Sequence, residues 1–280
     1  MIRLLKIEWT KLYHNTVSRI LIACYFLLIT FIAFLAAIKV EIGPIKFHLA
    51  EQGIFNFPYI WHFNTYIIGY MKVFFAIIIV SMAASEYSYK TLKQNLIDGL
   101  NKKEVLLSKV YTMLAFILAS TLFTFLTSLV LGLLFSDYTE AGIIFSDLEY
   151  LLAYAIKLFG FFSFCLFLGM WIKRAAFALG FLIVWQMVEG IAYGIMEWKV
   201  SDWVPGLSAQ QVFSFFPLNA MSNLIKEPFT RLSGVQNIAQ QVGETFDKDY
   251  GFDLLSAAVV LEWSFIFLWA TYRLLRKRDL

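Results

Sequence analysis

Residues 110–135, VYTMLAFILASTLFTFLTSLVLGLLF, contain no charged side chain and decide the fold class. A helix that crosses the hydrocarbon core of a bilayer needs about 20 consecutive apolar residues, and this run is longer than that. Five further runs of the same kind lie at about 17–37, 62–84, 150–172, 175–196 and 254–275. We therefore predict an all-α membrane protein with six transmembrane helices, in a single domain that covers residues 1–280.

The composition of the whole chain agrees with this prediction. Hydrophobic residues make up 60% of the chain and charged residues 15%, and the mean hydropathy is +0.70. An average soluble domain has about 45–50% apolar and about 25% charged residues, so a soluble fold would leave apolar surface that only lipid can cover. The formal net charge of +3 is too small to indicate nucleic acid as a partner.

Basic residues divide the connections between the runs into two sets. The richer set holds both termini, the connection after the second run and the turn between the fourth and fifth runs: Arg3, Lys6, Lys11, Arg19, Lys90, Lys93, Lys102, Lys103, Lys109, Lys173, Arg174, Arg273, Arg276, Lys277 and Arg278. Lys and Arg mark the cytoplasmic side of short loops. We therefore expect a multi-pass protein of the cell membrane with both termini in the cytoplasm.

Residues 1–15 form a distinct element before the first predicted span. Apolar Ile2, Leu5 and Trp9 are interleaved there with basic Arg3 and Lys6. A basic amphipathic helix that lies on the inner leaflet fits this pattern. The alternative is that these residues simply extend the first span into water.

The connection after the second span is polar but has a helical pattern. Leu92, Leu96 and Leu100 recur at helical spacing, and Gly99 fits a helix stop. The pattern predicts a short cytoplasmic helix, which either inserts an apolar ridge into a groove on a cytoplasmic partner or serves only as a solvated hairpin.

The third span has its own start signal. Asn101, followed three residues later by Glu104, fits a capping pair that opens this helix. The predicted shape is therefore a short helix, a tight turn and a membrane helix.

The segment EYSYKTLKQNLIDGLNKKEVLLSK at residues 86–109 resembles the first inner loop of ABC-2 type permeases. In that family an acidic residue lies at the end of the second span and a Thr follows a few positions later. Basic residues occupy a polar turn, and a Lys lies just before the third span. The matching residues are Glu86, Thr91, Lys102, Lys103 and Lys109. The Ser-Arg pair common in the family's turn is replaced by Asn-Lys. The six spans and the amphipathic N-terminus also resemble this fold, which is that of type V exporters.

The resemblance implies that residues 85–104 hold a coupling helix, which docks on a separate ABC ATPase, the nucleotide-binding subunit. It assigns ten residues to this ATPase-coupling loop: Glu86, Lys90, Thr91, Lys93, Gln94, Asp98, Gly99, Lys102, Lys103 and Lys109. This sequence has no G-x-x-x-x-G-K-[ST] phosphate loop, so ATP and Mg are expected in the partner, with no cofactor, metal or catalytic residue in this chain. A second permease subunit is also implied, in a homodimer or a heterodimer.

Four ionisable residues fall inside predicted spans, where a charge is costly. Lys157 and Glu189 are expected at similar depths in the outer half of the membrane, and Lys72 and Glu262 at similar depths close to its middle. We predict two intramembrane ion pairs from these depths. They either fix the register of the helices or line a substrate path.

Residues 198–252 form a long extracytoplasmic excursion before the last span. Apolar residues near Phe213 and Met221 are interrupted by Pro205, Pro217 and Pro228. This pattern predicts short outer helices at the membrane surface. They are either an outer gate for substrate release or a cap that follows the membrane.

These observations favour a permease subunit of an ABC-2 type exporter with an unidentified substrate. The alternative is a proton- or ion-coupled secondary carrier that uses the intramembrane Lys and Glu residues, although six spans without a visible repeat weaken it. An intramembrane enzyme is disfavoured because His14, His48 and His62 are far apart and form no H-E-x-x-H motif.

Overall fold

The computed structural model describes residues 2–37, 40–42, 45–47, 53–89, 91–199, 208–232, 235–236 and 250–277. The α-helices of these residues are α1 (Ile2–His14), α2 (Thr16–Ala37), α3 (Tyr59–Ile68), α4 (Lys72–Ser88), α5 (Thr91–Ile97), α6 (Lys102–Phe135), α7 (Ala141–Ile144), α8 (Glu149–Ile172), α9 (Ala175–Lys199), α10 (Ala209–Phe213), α11 (Pro217–Asn223) and α12 (Leu254–Lys277). Two 3-10 turns lie at Gly69–Met71 and Phe229–Arg231. A two-stranded antiparallel hairpin of β1 (Val40–Ile42) and β2 (Ile45–Phe47) was not predicted.

The helices confirm an all-helical membrane fold apart from this small hairpin. Four helical segments of the described residues are each long and apolar enough to cross a bilayer, at 102–135, 141–172 (α7, a turn and α8), 175–198 and 254–277. Two further segments are pairs of helices with a bend between them. The span count of the described chain is therefore four, and it rises to six when each bent pair counts as one span.

The first bent pair separates the N-terminal helix from the first span. Helices α1 and α2 meet at 92°. Asn15 stands between them, and its side-chain oxygen accepts hydrogen bonds from the backbone N–H groups of Val17 (3.0 Å) and Ser18 (3.3 Å). Such a cap satisfies the free N–H groups that open a helix. Since α1 turns away at a right angle, it does not continue the axis of the first span.

The second bent pair corrects the predicted second span, which is not one continuous helix. It begins at Tyr59, and the 3-10 turn Gly69–Met71 divides it into α3 and α4, which meet at 44°. The hydrophobic pattern does not reveal the break because the residues on both sides of it are mostly apolar.

Helix α8 is the centre of the bundle and contacts α4, α6, α9 and α12. Two of its glycines permit close approach of neighbouring helices. A Cβ at Gly169 would lie 2.7 Å from the Cβ of Ala83 and 2.9 Å from the backbone oxygen of Val80, both on α4. A Cβ at Gly160 would lie 2.6 Å from Val260 on α12. Small residues at such crossings let membrane helices pack backbone to backbone.

Short outer helices precede the last span, as the sequence predicts. Helix α10 begins with a capping box formed by Ser208 and Gln211, and α11 packs against α8 and α12. The indole N–H of Trp263 on α12 donates to the backbone oxygen of Phe215 (2.8 Å). The rest of the predicted excursion, at 200–207, 233–234 and 237–249, lies outside the described residues.

Candidate functional site

A buried ion pair joins the end of α4 to the start of α6. Lys109 Nζ lies 2.5 Å from Glu86 Oε1 and 2.7 Å from Glu8 Oε2. The side chain of Lys109 is fully buried, and those of Glu86 and Glu8 are 2% exposed. Charges removed from water in this way are tolerated only when they are paired and hydrogen-bonded.

Helix α1 supplies the other half of this network. Glu8 and Lys11 lie on one face of α1, three residues apart. Lys11 Nζ lies 3.0 Å from Glu8 Oε1 and 2.9 Å from Glu86 Oε1. Glu8, Lys11, Glu86 and Lys109 therefore form a cluster of two carboxylates and two ammonium groups with no net charge, which we call the Glu86 cluster.

The second oxygen of Glu86 holds helix α5. The Thr91 hydroxyl donates to Glu86 Oε2 (2.8 Å), and so does the Asn95 side-chain amide (3.2 Å). Thr91 and Asn95 are four residues apart and so lie on one face of α5. Leu92 and Leu100 are buried in the hydrophobic core. One carboxylate thereby connects α5 to α1, α4 and α6.

The opposite face of α5 is open. Lys93, Gln94 and Asp98 are exposed, and the Gln94 amide donates to Asp98 Oδ1 (2.9 Å), just past the end of α5. Ile97 is 69% exposed, whereas Leu92 is 1% exposed. The predicted apolar ridge is therefore corrected: Leu92 and Leu100 pack into the protein, and Ile97 is the apolar side chain of α5 that faces outward.

The turn between α5 and α6 has the predicted chemistry. Gly99 has a φ of +93°, which glycine adopts without strain. The Asn101 side chain accepts from the Glu104 backbone N–H (2.8 Å), and the Glu104 carboxylate accepts from the Asn101 backbone N–H (2.9 Å). This reciprocal capping box confirms the predicted start of the third span.

The basic residues of the turn differ in their surroundings. Lys102 Nζ donates to the backbone oxygen of Arg276 at the end of α12 (3.3 Å). Lys103 is exposed. Lys90, which the resemblance also assigns to this loop, lies outside the described residues. The structure thus brings Glu86, Thr91 and Lys109 into the Glu86 cluster or its hydrogen bonds, and leaves Lys93, Gln94, Asp98 and Lys103 on the surface.

The predicted intramembrane ion pairs are wrong. Glu189 accepts instead from the Trp185 indole N–H (2.6 Å) and from the backbone N–H groups of Leu218 (3.4 Å) and Asn219 (3.0 Å). Its carboxylate thus lies at the start of α11, where free backbone donors favour a negative charge. Depth along a helix does not specify the face from which a side chain projects, and this is why the pairing failed.

The second predicted pair fails for the same reason. Glu262 is exposed on the outer surface of the bundle. Lys72 Nζ lies 4.2 Å from the centre of the Phe161 ring, over its face. Lys72 and Lys157 line one cavity together, and no Asp or Glu of the described residues lines it with them.

Sequence reasoning missed the contributions of Glu8, Lys11 and Asn95 to the Glu86 cluster and its hydrogen bonds. A signal was present in α1, where Glu8 and Lys11 stand at the i, i+3 spacing of an intrahelical ion pair in an otherwise apolar and basic segment. Nothing in the sequence indicates that α1 packs against α6, which is the contact that buries Glu8 beside Lys109.

Comparison with protein families matches the chain to a family described as "ABC-2 family transporter protein", over residues 4–189. The match covers well over half of the chain, from α1 into α9, and includes every member of the Glu86 cluster. A comparison with curated proteins finds no match.

Proposed function

Because the chain belongs to the ABC-2 family of transporter proteins, we propose that it is the permease subunit of an ATP-driven exporter in the cell membrane, with both termini in the cytoplasm. A separate ABC ATPase binds ATP and Mg, and docks on the outward face of α5 and the turn that follows it. A second permease subunit, identical or different, completes the path.

The connection made by Glu86 is the observation that carries this proposal. A force applied to α5 by a docked ATPase reaches α4 through the two hydrogen bonds to Glu86, and reaches α1 and α6 through its ion pairs. Buried, fully paired polar networks are rigid and resist separation of their members. Movement of α5 is therefore transmitted to the membrane helices α4 and α6.

The open face of α5 has the chemistry of a docking surface. Ile97 offers an exposed apolar side chain, and Lys93, Gln94 and Asp98 surround it with polar groups. An apolar anchor surrounded by polar contacts is a common arrangement at the centre of a protein–protein interface. We call the surface of Lys93, Gln94, Ile97 and Asp98 the α5 face.

The direct test is co-purification with a candidate ABC ATPase, sought first among the genes beside that of the permease. Reversal of charge in Lys93→Glu and Lys103→Glu together should abolish the complex and the stimulation of ATP hydrolysis. The matched control is Lys6→Glu, which reverses an exposed charge on α1 that does not belong to the α5 face. Full binding and stimulation in the Lys93→Glu, Lys103→Glu protein would contradict the assignment of the docking surface.

The positions of Glu189 and Glu262 do not support the carrier alternative. It requires acidic and basic groups that exchange protons or ions within the membrane. Glu189 is engaged by Trp185 and the start of α11, and Glu262 lies on the outside of the bundle. Uptake or efflux by the permease in vesicles without any ATPase would favour the carrier over the exporter.

A further inference from the structure

We propose that the cavity between α4, α8, α9 and α11 binds the anionic headgroup of an amphiphile, held by Lys72 and Lys157. The cavity has a volume of about 410 Å³ and lies beside the break between α3 and α4. Both ammonium groups line it. Calling the occupant a transported substrate rests on the proposed export function, whereas binding itself does not.

The charges of the cavity favour an anion. Lys157 is 6% exposed, and neither it nor Lys72 has a carboxylate within 4 Å in the described part of the chain. Two like charges beside one cavity repel each other, and burial without an opposite charge disfavours the charged form of each of them. An anionic group in the cavity relieves both effects, because it supplies the missing opposite charge and accepts hydrogen bonds from both ammonium groups.

The position of Lys157 directs its charge toward the break in the second span. A Cβ built at Gly69 would lie 4.0 Å from Lys157 Nζ. Gly69 opens the 3-10 turn that separates α3 from α4, and Lys72 is the first residue after that turn. Lys157 and Lys72 therefore both line the cavity next to this break.

Neutral hydrogen-bond donors surround the same space. Tyr66, Gln186 and Ser222 line the cavity. The Tyr70 hydroxyl donates to the Tyr66 oxygen (2.9 Å), so the Tyr66 proton is left to donate to another acceptor. A headgroup with several oxygens, such as a phosphate or carboxylate, matches two ammonium groups together with these neutral donors.

The remainder of the lining is apolar and reaches the outside of the bundle. Ala76, Phe161 and Leu182 form inner walls, while Val73 and Ile183 are 51% and 61% exposed. In a membrane protein this exposed apolar edge faces acyl chains or another membrane helix. A charged end inside and an apolar opening at the side match an amphiphile better than they match a soluble anion.

The test measures binding to the purified full-length permease in neutral detergent, without ATPase, by native mass spectrometry. One arm compares phosphatidylglycerol with phosphatidylcholine of the same acyl chains, and the other compares dodecyl phosphate with dodecanol. We expect the wild type to prefer the anionic member of at least one pair. Lys157→Met and Lys72→Met should each lower that preference by about tenfold or more, the effect of losing one charge-assisted hydrogen bond.

The matched control is Lys6→Met, which removes an exposed cation on α1 outside the cavity and should keep the wild-type preference. A preference for phosphatidylglycerol assigns the cavity to a membrane lipid, and one for dodecyl phosphate alone assigns it to a single-chain anionic amphiphile. Equal binding of charged and neutral members, or an unchanged preference in Lys157→Met, would overturn the proposal. If Lys157→Met does not fold, Lys72→Met decides by the same criterion. This binding measurement uses no ATPase, so a failure of ATPase docking would not change its result. The two proposals can therefore be contradicted independently.

Discussion

Lys109 of α6 and Glu86 of α4 form a fully buried ion pair, with Nζ and Oε1 2.5 Å apart. The pair does not stand alone, because Glu8 and Lys11 of α1 complete it with one charge of each sign. Its carboxylate also accepts both hydrogen bonds that hold α5. Stability and the proposed coupling therefore depend on the same four charges.

Removal of Lys109 should destabilise the protein strongly. Lys109→Met keeps most of the side-chain volume but leaves the carboxylates of Glu8 and Glu86 with Lys11 as their remaining cation. Loss of one partner of a buried ion pair costs about 3–5 kcal/mol. The free energy of unfolding, from detergent-induced unfolding followed by circular dichroism, should fall by that amount. Lys103→Met, on the exposed side of the same helix, should change it by less than about 0.5 kcal/mol.

A double variant separates two effects of Lys109→Met on stability: the carboxylate charge left without its partner and the loss of the Lys109 contacts themselves. Addition of Glu86→Gln to Lys109→Met removes one of the carboxylates that Lys109 leaves behind. It should recover part of the lost stability, so that the two substitutions are not additive. Additive effects would contradict the interpretation that these two residues act as a pair.

Leu92 and Ile97 should respond in opposite ways to the same truncation. Leu92 is 1% exposed and Ile97 is 69% exposed, although both lie on α5. Leu92→Ala should lower the free energy of unfolding by about 2–5 kcal/mol because it empties a buried site. Ile97→Ala should leave stability within about 0.5 kcal/mol of wild type but weaken binding of the ATPase. Stability from unfolding and affinity from titration of the ATPase check both expectations, and unchanged affinity in Ile97→Ala would remove Ile97 from the α5 face.

The sequence was sufficient for features that depend on local patterns. The apolar runs predicted the membrane helices, and the pair Asn101 and Glu104 predicted the start of α6, because a capping box involves only neighbouring residues. Long-range contacts were not predictable in this way. Whether Glu189 meets Lys157 or the start of α11 depends on helix rotation, and hydropathy carries no information on that.

The Glu86 cluster illustrates the same division. Glu86, Thr91 and Lys109 were identified through a family resemblance of the loop. Glu8 and Asn95 were not, because their role appears only when α1 and α5 pack against α4 and α6. Exposure was also misjudged for α5, since three leucines at helical spacing do not show which side of the helix meets the protein.

Thr91→Val should separate ATPase binding from coupling. The substitution keeps the branched shape of the side chain but removes the hydroxyl that donates to Glu86 Oε2 (2.8 Å). A hydrogen bond to a charged group contributes about 1.5–3 kcal/mol. Since Thr91 is on the inner side of α5 and the α5 face is unchanged, we expect normal co-purification with the ATPase and reduced stimulation of ATP hydrolysis by the permease. Thr10→Val, whose hydroxyl bonds only within α1, is the matched control. Loss of co-purification in Thr91→Val would show that Thr91 supports docking of the ATPase and not the transmission of α5 movement to the membrane helices.

The crossing of α4 and α8 should depend on the absence of a side chain at Gly169. A methyl group there would lie 2.7 Å from the Cβ of Ala83 and 2.9 Å from the backbone oxygen of Val80, so Gly169→Ala must push two helix backbones apart. Overpacking of this kind costs about 1–3 kcal/mol, and the free energy of unfolding should fall accordingly.

Gly180 on α9 provides the control, because a Cβ there meets nothing within 4 Å. Gly180→Ala should be neutral or stabilising, since alanine favours helices by about 0.5–1 kcal/mol over glycine. Since α4 also carries Glu86, Gly169→Ala should disturb the Glu86 cluster and reduce ATPase stimulation together with stability. Equal stability of the two alanine variants would contradict the close packing of α4 on α8.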